Sequence, residues 1–164
     1  MTRPRLLFAA TFLALLVLGG YLAYDWKPDR QLRKATERLL ADIESRDWES
    51  VRDTLTDDYT DHWELDRAQF IQIASEGMRQ FFYLSIEPAN WQITPAESDH
   101  ATTTVDLTFQ GNGTGLGQIA LNRLTSLEEP FTFHWRKESW QPWSWRLYSA
   151  EQSELRLSRD WSFQ

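Results

Sequence analysis

"FTFHWRKESWQPWSWRLYSA", residues 131–150, decides the fold. Phe131, Phe133 and Trp135 alternate with Thr132, His134 and Arg136. After a polar connection, Trp143, Trp145 and Leu147 alternate with Ser144, Arg146 and Tyr148. Successive side chains of a strand point to opposite faces, so this two-residue period predicts an antiparallel hairpin with an apolar inner face. Trp135, Trp143 and Trp145 then share that face, as core or pocket lining. "KESWQP" is the connection, with Trp140 at its tip.

Working outward, "ATTTVDLTFQ" (101–110) repeats the pattern. Thr103, Val105, Leu107 and Phe109 fall on one face, and Thr102, Thr104, Asp106 and Thr108 on the other. "YLSIEPANWQITPAE" (83–97) reads as two short extended pieces broken at Pro88 and Pro95, as edge strands often are. Before Phe82 the period is helical. Leu32, Ala35, Leu39 and Ile43 form one stripe of an amphipathic helix whose wet side carries Arg33, Lys34, Glu37 and Arg38. Asp47 opens a short second helix with Trp48, Val51 and Leu55 on one face. In "LDRAQF" (65–70), Asp66 and Gln69 make a capping-box variant, and Leu65 with Phe70 a staple, for a third helix running to about Gln80. Helices segregated ahead of strands mean α+β: three helices covering one face of an antiparallel sheet of four to five strands.

Residues 6–24, "LLFAATFLALLVLGGYLAY", contain no charge, and as a helix they would span the ~30 Å hydrocarbon layer. Arg3 and Arg5 precede the run, which keeps residues 1–5 cytoplasmic and puts the rest of the chain outside. A cleaved signal peptide is the alternative. The length of the run and the absence of a small-x-small site favour an uncleaved signal anchor. The expected organisation is a cytoplasmic N-terminus (1–5), a transmembrane helix (6–24), a domain (25–150) and a tail (151–164). The setting expected is a bacterial inner membrane, single-pass, with the domain periplasmic. With no cysteine, disulfides and lipoprotein anchoring are excluded. Beyond the anchor stand 15 basic and 24 acidic residues, a formal charge of −9 that argues against nucleic acid.

The first amphipathic helix, the segment "DWESVRDTLTDDYTDHW" (47–63), the capped third helix and the closing strand "WSWRLYSAE" (143–151) together resemble the nuclear transport factor 2-like superfamily, including its SnoaL-like branch. The resemblance covers residues 29–150. It implies a curved sheet and helices enclosing a cone. The superfamily hosts isomerases, dehydratases, cyclases and epoxide hydrolases beside many domains with no chemistry, and fold alone does not choose among them. "GNGTGLGQIALNRLTSLEEP" (111–130) departs from it as a long connection where a tight hairpin is expected.

An isomerase-type site needs an inward carboxylate of raised pKa and a donor for the developing oxyanion. Tyr59 as donor with Asp61 or His62 as acid/base, near the mouth of such a cone, is the sharpest enzymatic candidate; a helix-terminating loop is the bland reading. Asp106 and His134 fall on the polar face of their strands. His62, His100 and His134 are scattered, so no metal site is expected. Gly111, Gly113, Gly115 and Gly117 lack the Lys-Ser/Thr of a phosphate loop, and read as a flexible connection, bulged hairpin or partner loop. No cofactor is implied.

The sequence weighs toward a membrane-anchored, non-enzymatic domain that binds a protein partner or a small apolar ligand in a cone lined by Phe109, Phe133, Trp135, Trp143 and Trp145. The alternatives are a small isomerase or dehydratase, and a domain that dimerises through the sheet face bearing Thr102, Thr104, His134, Arg136, Arg146 and Tyr148.

Overall fold

The computed structural model describes residues 27–95 and 99–155. The expected anchor at 6–24 lies outside them. Among the described residues no helix is long and apolar enough to cross a membrane.

Helix α1 (Pro28–Ser45) begins with proline at its first turn, where the missing amide costs nothing. It ends at Arg46, in the left-handed region at φ 61°, with the amide returned to Asp42 and Ile43. Helix α2 (Trp48–Thr54) is capped by Asp47, whose carboxylate accepts from the Ser50 amide at 3.1 Å. Helix α3 (Arg67–Met78) starts in the expected capping box: Asp66 accepts from the Gln69 amide at 2.9 Å, and Gln69 accepts from the Asp66 amide at 3.1 Å. Four strands follow as an antiparallel meander, β1 (Phe81–Pro95), β2 (His100–Gly113), β3 (Phe131–Lys137) and β4 (Trp145–Glu151), in that spatial order. Register shifts at Phe81/Tyr83, Ala89/Gln92 and His134/Trp135 curve the sheet. Helix α1 lies across β1, β2 and β4.

Both sheet edges are managed. Segment 55–62 runs beside β4, with the amides of Thr56, Thr60 and His62 donating to Leu147, Tyr148 and Ala150 at 2.9, 3.1 and 3.0 Å. On the β1 edge, Glu44 accepts from the Ile86 amide, and Arg46 donates to the Phe81 carbonyl at 2.6 Å. Free strand edges invite pairing with other chains, and these bonds blunt both.

The structure corrects three expectations. The two pieces expected in 83–97 are a single strand up to Pro95: β1 runs through Pro88, because it is an edge strand and the bulge at Ala89/Gln92, with Asn90 at φ 51°, absorbs the irregularity. The 111–130 connection is no flexible loop. It contains a fourth helix, α4 (Gly115–Thr125), capped by the Thr114 hydroxyl on the Gly117 amide. Finally, β4 starts at Trp145, so Trp143 stands before it and is 62% exposed rather than inward. Pro142 and a turn tied by Ser144 to the Ser139 and Gln141 carbonyls hold residues 139–144 out of the ladder.

Two glycines at the start of α4 have a steric role, Gly113 just before it and Gly117 in its first turn. A Cβ on Gly113 or Gly117 would run into the Gln80 carbonyl, so glycine lets this turn close against the start of β1.

Candidate apolar cavity and the Tyr59–Asp61 pair

The space between helices and sheet divides in two. In one half Trp135, Phe133 and Trp145 of the hairpin meet Leu32 and Leu39 of α1, Val51, Leu55, Tyr59 and Ile71, with Ala101 and Val105 beneath. Trp135 is fully buried. In the other half the buried side chains are Leu40, Met78, Phe81, Leu84, Ile86, Phe109 and Leu121. They do not close over one another. Between them lies a cavity of about 260 Å³, open on one side.

Each wall follows from a local rule. Helix α3 turns Ile73, Ala74, Gly77 and Met78 toward the cavity at three- and four-residue steps. Strand β1 contributes Phe81, Leu84 and Ile86, β2 adds Phe109, and α1 adds Ile43. Helix α4 supplies Ala120, Arg123 and Leu124, and Leu155 stands at the lip. Gly77 leaves open space where a side chain would stand. Arg123 is the one ionisable group among the described lining residues, and its guanidinium donates to the Glu154 carbonyl at 2.6 Å. Gln152 holds the same tail, accepting from the Glu154 and Leu155 amides at 2.7 and 2.6 Å and donating to the Glu129 carbonyl at 3.0 Å.

Of the five aromatics expected to line the interior, Phe109 stands in the cavity wall. Phe133, Trp135 and Trp145 belong to the packed half, and Trp143 is outside. The α4 wall is not among the expected elements. Gly117, Leu121 and Leu124 at helical spacing behind Thr114 were its signal, obscured by the run of glycines.

Tyr59 and Asp61 come together, with His62 turned away. Tyr59 is 1% exposed, Asp61 5%, and the phenol donates to Asp61 Oδ2 at 3.4 Å. Asp61 Oδ1 accepts from the Trp63 and Leu65 amides at 3.0 and 2.9 Å. Tyr59 also packs against Phe70, ring centres 5.5 Å apart. Burial pushes the Asp61 carboxyl above its usual range, opposed by the Leu65 and Trp63 amides and then by the phenol. Burial likewise pushes the Tyr59 phenol far up, with the Asp61 charge adding to it. Neither residue borders the apolar cavity. His62 is exposed and lines a separate recess of about 220 Å³ with Glu151 and Gln152. The pair closes the 61–65 turn and lines neither of these two cavities.

On the outer sheet face His134 lies 3.3 Å from Thr102 Oγ1 and 3.4 Å from Glu151. Tyr148 sits between His100 and His134, with ring centres 5.7 and 5.9 Å away. Arg136 forks onto Asp58 at 2.7 and 3.0 Å and holds that carboxyl well below the usual range.

No family model matches the chain, and no curated protein matches it in sequence. Solved structures do resemble it. A scytalone dehydratase-like protein of Novosphingobium aromaticivorans superposes with a TM-score of 0.56 at 10% identity, covering 74% of this chain and 80% of that one. A nuclear transport factor 2-like protein of Rhodospirillum rubrum, of unknown function in nutrient uptake, gives 0.52 at 20% identity, with 73% and 93% covered. Bd1075 of Bdellovibrio bacteriovorus gives 0.57 at 9% identity over 74% of this chain, which spans only 38% of that protein. At such identities the likeness concerns the fold. The domain has the nuclear transport factor 2-like, SnoaL-like fold.

Proposed function

We propose that this chain is a membrane-anchored, extracytoplasmic domain that binds a small apolar molecule in the open half of its cone and performs no chemistry on it. The observation that carries the reading is the lining of the 260 Å³ cavity: among the described residues, thirteen side chains or backbones with no carboxylate, imidazole, phenol or thiol. Arg123, the one ionisable group among them, is engaged with the Glu154 carbonyl at 2.6 Å. Apolar walls gain roughly 25 cal/mol for each Å² of apolar ligand surface they remove from water. A cavity a little below the usual ~300–1,000 Å³ of ligand sites suits a compact ligand.

The runner-up, an isomerase or dehydratase using Tyr59 and Asp61, has less support, since their polar atoms serve the turn. The third reading, association through the sheet face, has less support too: His134, Arg136 and Arg146 already have partners on their own chain. Anchoring rests on the uncharged run at 6–24 and the arginines before it.

The test uses residues 25–164 with isotope-labelled methyl groups and naphthalene as probe. Saturable shifts should gather on Ile73, Met78, Leu84 and Leu124, and Gly77→Phe should remove them. Shifts scattered over the surface, or equal in Gly77→Phe, would sink the reading. A phosphatase fused after residue 30 should be active in the periplasm; activity confined to the cytoplasm would reverse the topology.

A further inference from the structure

We propose that the groove between α1, α2 and the β3–β4 turn is a second binding site, for a neutral saccharide. The groove encloses about 460 Å³ and is bordered by Trp143 and Trp145, with Arg38 from α1, Asp53 from α2, and the Glu138–Arg146 pair from the hairpin. It is separate from the apolar cavity and shares no lining residue with it.

Its chemistry is mixed in a specific way. Trp143 is 62% exposed and Trp140, three residues earlier, is 86% exposed. Water around so much bare indole is unfavourable, and a partner that covers it gains affinity. The turn bearing both is already ordered. The Ser144 hydroxyl lies 2.8 Å from the Ser139 and Gln141 carbonyls and accepts from the Ser139 amide at 3.1 Å, while the Glu138 amide donates to the Ser144 carbonyl at 3.1 Å. A platform fixed before binding loses little entropy on binding.

The polar rim selects the class of ligand. Two cations, Arg38 and Arg146, face two carboxylates, Asp53 and Glu138, so the groove carries no net formal charge. Glu138 and Arg146 neutralise each other at 3.1 Å. The Asp53 carboxylate has no hydrogen bond or ion pair among the described residues, which leaves it as an acceptor for a ligand's donors. A phosphate or an acidic peptide would meet that carboxylate unfavourably. A purely apolar ligand would strand the rim's polar groups. A sugar ring offers an apolar C–H face for the indole and a rim of hydroxyls that both donate and accept. A bilayer surface is disfavoured because the groove is concave, and because the formal charge of −9 beyond residue 24 opposes anionic lipid.

The experiment uses the full chain in a zwitterionic detergent whose headgroup carries no sugar. Cellotriose, maltotriose and tri-N-acetylchitotriose are titrated while the indole N–H resonances are followed. At least one trisaccharide should saturate with millimolar or better affinity, shifting the Trp143 indole and leaving Trp135 in place. Trp143→Ala should weaken binding tenfold or more and Asp53→Asn at least threefold, both with an unchanged melting temperature since both side chains are exposed. Gly77→Phe, which closes the apolar cavity, should bind the sugar as the parent does, so this site and the proposed function stand or fall separately. Three results would overturn the proposal. One is no shift from any trisaccharide up to about 10 mM, an affinity too weak to matter. Another is parent-like binding by both groove variants. The third is a Trp143 resonance that responds to phosphatidylglycerol bicelles and not to sugar, which would assign the indoles to a lipid surface.

Discussion

The two halves of the cone interior are built from the same residue classes, yet one is solid and the other hollow. In the solid half, Trp135 and Trp145 project from adjacent strands onto α1, and Tyr59 with Phe70 closes the side. In the hollow half, the facing positions of α3 are Ile73, Ala74, Gly77 and Met78, two of which have little or no side chain to extend. Side-chain volume is what differs. Hydrophobicity fixes which residues turn inward, and size fixes whether anything is left between them.

The comparison can be broken at its strongest point first. Trp135→Ala should cost about 3–5 kcal/mol, because a fully buried indole would leave a hole its neighbours cannot collapse into. Its Nε1 has no hydrogen-bond partner among the described residues, so it contributes volume and not polarity. Chemical denaturation would measure this. A loss below about 1 kcal/mol would mean that the solid half is not packed as described.

Next in size is Asp61→Ala, expected to cost about 2 kcal/mol by stranding the Trp63 and Leu65 amides. Asp61→Asn should keep both bonds and change stability little. The two differ in pH dependence. The folded carboxyl titrates above its unfolded value, so the stability it contributes is complete below about pH 4 and is lost as pH rises through the raised folded value. Melting temperatures from pH 3 to 8 should show that decline in the parent and its absence in Asp61→Asn. An unchanged slope would assign the pH dependence elsewhere.

The same substitution at two glycines sharpens the contrast further. Gly117→Ala places a methyl against the Gln80 carbonyl and should destabilise by about 1–3 kcal/mol. Gly77→Ala meets open space inside a helix and should stabilise by about 0.5–1 kcal/mol. Opposite signs in thermal melts would confirm that one glycine marks a close approach and the other a void. Destabilisation at both would mean the cavity wall is tighter than described.

The alternation in 101–109 and 131–136 and the Leu32–Ile43 stripe place most of the observed core, and Asp66 with Gln69 places the start of α3. These signals are local: a strand or helix period depends only on which neighbours share a face. The 111–125 segment was less legible, because four glycines argue against a helix when each is weighed alone, while a threonine cap and apolar spacing at 117, 121 and 124 argue for one. Tertiary packing on β2 decides it. Trp143 failed for a related reason: the period held back to 145, and Pro142 with the Ser139–Ser144 turn ended it two residues early.

By itself the sequence determined the α+β class, the three helices ahead of the strands and most of the inward faces, since these are set by periodicity and capping within a few residues. It also placed Tyr59 and Asp61 side by side, their positions being two apart. Only the tertiary structure decided that Asp61 Oδ1 accepts two backbone amides while Oδ2 takes the Tyr59 phenol, and that Trp135 fills space while Phe109 borders it. Those outcomes depend on distances between elements far apart in the chain, and on the volume left over after they pack, which no local pattern encodes.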